Sequence, residues 1–230
     1  MSLNPFVWAF LGGFLPALLW LWFWLKEDAK RPEPKRLIFA AFVAGILAVP
    51  AALFFEKAFQ GLLQHGIFLV ILWAATEELL KYAGAYFVAF RKWCVDKTTC
   101  VDEPIDPAIY LITAALGFSA LENTLFLINP LLYGEVLTGF VAGNLRFVGA
   151  TLLHVVASAA IGIAMGLSFY KSAFVKKVYL WMGICTAVIL HALFNLSIII
   201  NEGENILIIF GFLWIAVLFL LLVFERVKRI

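Results

Sequence analysis

Residues 67–90 read IFLVILWAATEELLKYAGAYFVAF. The run is apolar at both ends and, at ~1.5 Å of rise per helical residue, long enough to cross a hydrocarbon layer of ~30 Å. Yet Glu77, Glu78 and Lys81 stand in its middle. An ionised side chain near the bilayer centre costs ~2.5–3.5 kcal/mol even on the lenient insertion scale. Three of them on one span must face partners or a wet cavity inside a bundle. The stretch reads as a membrane helix that gives up hydropathy for chemistry.

The rest of the chain supports a lipid solvent. It has 230 residues, 64% hydrophobic and 14% charged, with a mean hydropathy of +1.01. Soluble domains run nearer half apolar and a quarter charged. Apolar segments at 3–25, 37–55, 67–90, 108–128, 145–169, 178–200 and 206–224 predict an all-α polytopic membrane bundle of about seven transmembrane helices. The connectors are short and no repeat is visible, so residues 1–230 read as a single integral membrane domain. The first apolar run lacks a basic n-region and is followed by Lys26-Glu27-Asp28, which reads as a retained helix and not a signal peptide. Cys94 and Cys100 bracket a charged loop and Cys185 lies in an apolar run. A pair plus a singleton is no disulfide framework, and zinc would normally need four ligands, so the thiols read as reduced.

Charge gives the orientation. Of 17 lysines and arginines, 14 fall in 26–36, 91–97, 171–177 and 225–230, which share one side if there are seven spans. That side should be cytoplasmic, with the N-terminus out and the C-terminus in. A net charge of +2 is too small to suggest nucleic acid. The stretch NPLLYGEVLTGFVAG (129–143) is apolar but carries glycine and proline, so it is expected in the outer interface or re-entering between helices. Gly162 and Gly166, preceded by Ser158, and Ala114 with Gly117 read as close helix contacts.

Four of the predicted helices carry polar residues at one depth. Counted from their outer ends, Glu77, Glu122, His154, His191 and Asn195 lie roughly 9–15 Å below the outer boundary. Glu77 and Lys81 are four apart and share a helical face, where they can pair. Glu78 is turned ~100° away, so the two glutamates cannot play one role. In a low-dielectric site at least one of two adjacent carboxylates suits general acid or base work. His191 and Asn195, also four apart, could donate to an oxyanion. Arg146 opens its helix near the interface, where snorkelling is the ordinary reading, and His65 reads as solvated.

In chain order these residues form EExxK (Glu77 to Lys81), GFxxxEN (Gly117 to Asn123), Arg146 followed by His154, and HxxFN (His191 to Asn195). Together they resemble the PrsW family of intramembrane proteases, within the larger group that includes CAAX-prenyl proteases and bacteriocin-processing enzymes. Asp106-Pro107 fits the same pattern. The resemblance covers about residues 70–200, leaving 1–66 and 206–230 as peripheral membrane helices. It implies hydrolysis of a peptide bond in a membrane-anchored protein, anti-sigma-factor-like by family, in the bilayer of a cell membrane. Glu77 and Glu78 match the paired glutamates, Glu122 the second motif, and His191 with Asn195 the last. Lys81, Asn123 and Arg146 are supporting. CAAX-type relatives have histidine where Glu122 stands, so their His–Glu pair does not transfer unchanged, and His154 is the candidate for the missing imidazole.

Two mechanisms stay open. In one, Glu77 or Glu78 deprotonates water, His154 assists, and His191 with Asn195 binds the oxyanion, with no cofactor. In the other, Glu122, His154 and His191 hold Zn²⁺ as a His₂Glu site and a paired glutamate is the base, though HExxH is missing. Outside hydrolysis, buried Glu/His/Lys sets also build proton relays in ion-coupled transporters, but no inverted repeat or broken helix pair accompanies them. An inactive membrane-binding scaffold is the third class, disfavoured by the intact motif set.

Overall fold

A computed structural model describes residues 4–28, 31–63, 66–91, 101–201 and 204–230. Among them the order is α1 (Pro5–Glu27), α2 (Lys35–Leu63), α3 (Ile67–Ala85), α4 (Asp106–Leu132), α5 (Val136–Leu145), α6 (Thr151–Leu167), α7 (Ala173–Ile200) and α8 (Ile206–Val227). One π turn, Tyr86–Phe90, prolongs α3, and another, Arg146–Ala150, joins α5 to α6. No strand occurs among the described residues. α1, α2, α4, the continuous α5–α6 rod, α7 and α8 are each long and apolar enough to cross a membrane. α3 joins them as the charged member of an all-α membrane bundle. Cys94, Cys100 and His65 lie outside the described residues, and Cys185 is a free, exposed thiol on α7.

α4 is apolar all round and becomes the central helix, with every residue from Ile105 to Ala120 buried. It packs against α1, α2 and α6, while α7 closes the ring between α6 and α3. Small residues permit the approach. A Cβ on Gly45 of α2 would fall on the Ala114 carbonyl of α4, and one on Gly162 of α6 would fall on the Ala108 backbone. The lipid-facing surface carries large side chains such as Phe39, Leu47, Phe54 and Leu222.

The 129–143 stretch differs from its expectation. It does not re-enter between helices: Val136–Leu145 forms α5, mostly exposed and resting on the end of α4. Its glycines are followed by enough helix-forming residues to extend α6 through the π turn. The N-terminus and the α2–α3, α4–α5 and α7–α8 connectors gather at one end of the bundle, and the lysine- and arginine-rich connectors at the other.

Candidate active site

The polar residues of α3, α4, α6 and α7 meet inside the half of the bundle nearer the α2–α3 and α7–α8 connectors. Lys81 is wholly buried and donates to Glu78 Oε1 at 2.6 Å and to His154 Nδ1 at 3.0 Å. Its Nζ also lies 3.6 Å from Glu77 Oε2. The pairing with Glu77 expected from i,i+4 spacing is therefore the weaker one, because the long lysine stem reaches Glu78 one turn away more closely. Glu78 is saturated: its Oε1 also accepts from His191 Nδ1 at 2.8 Å, and Ser158 Oγ donates to its Oε2 at 2.7 Å.

Glu122 Oε2 accepts from His154 Nε2 at 3.0 Å and from Arg146 Nη2 at 2.6 Å. Arg146 Nε donates to Asn123 Oδ1 at 2.5 Å. Asn123 Nδ2 in turn donates to Ser119 Oγ at 3.1 Å and to Thr151 Oγ1 at 2.9 Å. The snorkelling reading of Arg146 is thus corrected. The π turn that begins at Arg146 carries its guanidinium inward over the Phe126 ring, 3.8 Å from the ring centroid, and onto Glu122.

Each histidine has one ring nitrogen fixed by a carboxylate, which orients the other. Carboxylate–histidine pairs of this kind set the tautomer and aim the free nitrogen. With His191 Nδ1 held by Glu78 and His154 Nε2 held by Glu122, His191 Nε2 and His154 Nδ1 both turn toward Glu77. Each lies 3.8 Å from Glu77 Oε2. That oxygen is buried and without a hydrogen-bond partner, one of four such side-chain atoms among the described residues. Buried polar groups are nearly always paired. An orphaned carboxylate oxygen facing two imidazoles marks where a cation or a water belongs.

A metal set follows directly. Glu77, His154 and His191 each offer a ligand atom within 4.8 Å of the others. The type is two imidazoles and a carboxylate, as in catalytic zinc sites. The glutamate differs from the expected set of Glu122, His154 and His191. Sequence depth places Glu122 in the right layer, but Arg146 and His154 Nε2 engage its Oε2, so it orients a ligand and does not complete the triad. Lys81 donates to His154 Nδ1, the nitrogen a metal would use, and has Glu78 as its remaining partner when that nitrogen is taken. The donors fit.

A cavity of about 570 Å³ opens beside this cluster. Glu77, Glu122, Arg146, His154, His191 and Asn195 line it, together with Glu56 from α2. Asn195 reaches the wall from the turn after His191. Ser119, Thr151 and Ser158 were not singled out for the site. Their signal was spacing: Ser158 follows His154 by four residues and Ser119 precedes Asn123 by four, each on the same helical face. Glu56 was hidden in the end of α2, where a lone glutamate reads as interfacial.

Comparison with known proteins agrees with this geometry. The chain is 26% identical over 196 residues to Protease PrsW of Geobacillus kaustophilus (strain HTA426), covering 83% of this chain and 79% of that protein. No solved structure matches. A family model described as PrsW family intramembrane metalloprotease matches residues 33–223, reaching α2 and α8 beyond the motif-bearing helices. The chain is an intramembrane peptidase and a multi-pass membrane protein, and it belongs to the PrsW family of intramembrane metalloproteases.

Proposed function

We propose that Glu77, His154 and His191 form the reaction centre, with Glu78 and Glu122 as the carboxylates that orient the two histidines. The observation that carries this is the buried, unpartnered Glu77 Oε2 between His154 Nδ1 and His191 Nε2. These three residues would hold Zn²⁺, which when bound supplies an acidified water and a polarised carbonyl. Both hydrogen bonds of Glu122 use Oε2. Its Oε1 faces the role of accepting a proton from water and returning it to the leaving amine. Asn195 Nδ2, on the cavity wall, donates to the carbonyl oxygen as charge develops there. Lys81 holds Glu78 in its ionised form, and Arg146 holds Glu122 in place.

The contact between Lys81 and His154 Nδ1 favours a second reading. In it no metal enters, Glu77 itself takes the proton from water, and His154 remains a positioning group. The Glu77→Gln variant separates the two when its bound zinc and its cleavage of a reconstituted membrane substrate are measured together. Loss of both supports the metal reading, and loss of cleavage with metal-free wild type supports the second. Cleavage that persists in Glu77→Gln would remove Glu77 from the reaction centre altogether.

The substrate is a membrane-anchored protein, and by family resemblance an anti-sigma-factor-like one. We place the N-terminus outside and the C-terminus inside, from the basic connectors at one end of the bundle. Residues 1–230 then act as one membrane unit, its reaction core between about residues 70 and 200. The cavity lies in the outer half, so cleavage falls near the extracytoplasmic end of the substrate's helix. A cleavage site mapped at the cytoplasmic end would contradict both the orientation and this placement.

A further inference from the structure

The opposite end of α4 holds a second cluster that the reaction does not use. Asp106 opens α4, Asp102 lies just before it, and Glu33 comes from the α1–α2 connector. A carboxylate oxygen from each lies within 4.8 Å of the others. Asp28 joins them, its Oδ2 accepting the Glu33 backbone N–H at 3.4 Å. None of these four carboxylates has an ion-pair partner among the described residues. The nearby cations are taken elsewhere, Arg31 by Glu103 at 2.7 Å and Lys228 by Glu27 and Glu225 at 2.9 and 2.7 Å.

Glu33 and Asp28 are buried and Asp106 is completely so. Charges out of water must be paired or coordinate a metal. Asp106 Oδ2 accepts the backbone N–H groups of Asp102 and Glu103 at 2.8 and 2.7 Å, which folds the 102–106 segment around its carboxylate. Its Oδ1 is buried with no hydrogen-bond partner. Tyr110 donates its hydroxyl to Glu33 Oε2 and so fixes the second carboxylate. Along α4 this cluster stands sixteen residues from Glu122, roughly 24 Å away. It is a separate site.

We propose that Glu33, Asp102 and Asp106 hold a hard divalent cation such as Mg²⁺ or Ca²⁺, which ties the α1–α2 connector to the start of α4. An all-oxygen donor set of this kind suits such ions and not zinc. Burial raises the Glu33 carboxyl to about 9 and the Asp28 carboxyl to about 7. Cation binding near neutral pH therefore displaces protons and weakens as pH falls. The groups that face the site are Asp28, Asp102, Glu103, Asp106 and Tyr110, with Arg31 and Lys228 beyond them.

The test uses the full chain purified in detergent, stripped with EDTA and titrated with Mg²⁺, Ca²⁺ and Mn²⁺ while tryptophan fluorescence follows thermal unfolding. At free ion about a hundredfold above Kd, Tm should rise by about 5–10 °C. The rise should persist in Glu77→Gln, which alters only the distant cluster. It should vanish in Asp102→Asn, whose side chain is exposed and whose loss the fold tolerates, and in Glu33→Gln. No rise with any of the three ions, or a rise unchanged in both carboxylate variants, would overturn the proposal. So would a rise abolished by Glu77→Gln. Stabilisation by acid alone, without a divalent response, would also overturn it and identify shared protons as the occupant.

Discussion

Lys81→Met removes the only lysine from a cluster of carboxylates and imidazoles that water does not reach. Its Nζ lies 2.6 Å from Glu78, 3.0 Å from His154 and 3.6 Å from Glu77, with no exposed side-chain surface. Removing one partner of a buried ion pair typically costs ~3–5 kcal/mol, because the other charge is left uncompensated. Glu78 keeps Ser158 and His191 as donors at 2.7 and 2.8 Å. That puts the expected loss at the lower end, about 3 kcal/mol. For a chain of this length each kcal/mol moves Tm by roughly 2–4 °C, so Tm should fall by about 6–12 °C. The double variant Glu78→Leu/Lys81→Met removes both charges and should be less destabilised than the two singles summed, by at least ~1 kcal/mol. Thermal unfolding of all four proteins in one detergent, followed by tryptophan fluorescence, reads both quantities. A Tm for Lys81→Met within about 2 °C of wild type, or additive effects in the double variant, would refute the reasoning.

Three further outcomes follow from single positions. Asn195→Ala should lower kcat by about 10²–10³ with little change in KM or Tm, if its amide acts only on the developing oxyanion; steady-state cleavage of a reconstituted substrate measures it, and a pure KM effect would reassign Asn195 to binding. Gly45→Val should sharply reduce the yield of monodisperse protein, since a Cβ there falls on the Ala114 carbonyl and α2 cannot retreat without leaving α4; a normal elution profile would contradict that packing. Burial raises Glu33 from its ordinary 4.5 to about 9, so in chelator the folded chain holds a proton that the unfolded chain has lost between those values. Stability then falls as pH rises through that window, and Glu33→Gln should flatten the Tm-against-pH curve measured with EDTA present.

Helix identity was readable because lipid demands it: runs of apolar residues near the required length have few other folds to adopt. The depth count also held, since rise per residue is nearly constant, and it brought Glu77, Glu122, His154 and His191 into one layer. What depth cannot give is rotation and reach. Glu122 and Glu77 sit at similar heights, but Arg146 and His154 Nε2 engage one Glu122 oxygen while Glu77 Oε2 is left bare between the imidazoles. The π turn at Arg146–Ala150 was equally invisible, and it is what carries Arg146 inward instead of toward the headgroups. Ser119, Thr151 and Ser158 read as small packing residues because a hydroxyl in a helix so often bonds its own backbone. Here they complete the networks of Asn123 and Glu78. The carboxylates at the start of α4 escaped notice because their partner, Glu33, comes from a connector that sequence alone leaves in solvent.

Zinc content across a short variant series tests the reaction centre most directly. Wild type, Glu77→Gln, Glu122→Gln and His191→Ala are purified without chelator, and bound metal is measured by mass spectrometry alongside thermal unfolding. About one zinc per chain is expected in wild type. It should be lost in Glu77→Gln and His191→Ala and largely kept, though weakened ~10–100-fold in affinity, in Glu122→Gln. Full zinc in Glu77→Gln together with its loss in Glu122→Gln would contradict the account and return the metal to Glu122, His154 and His191.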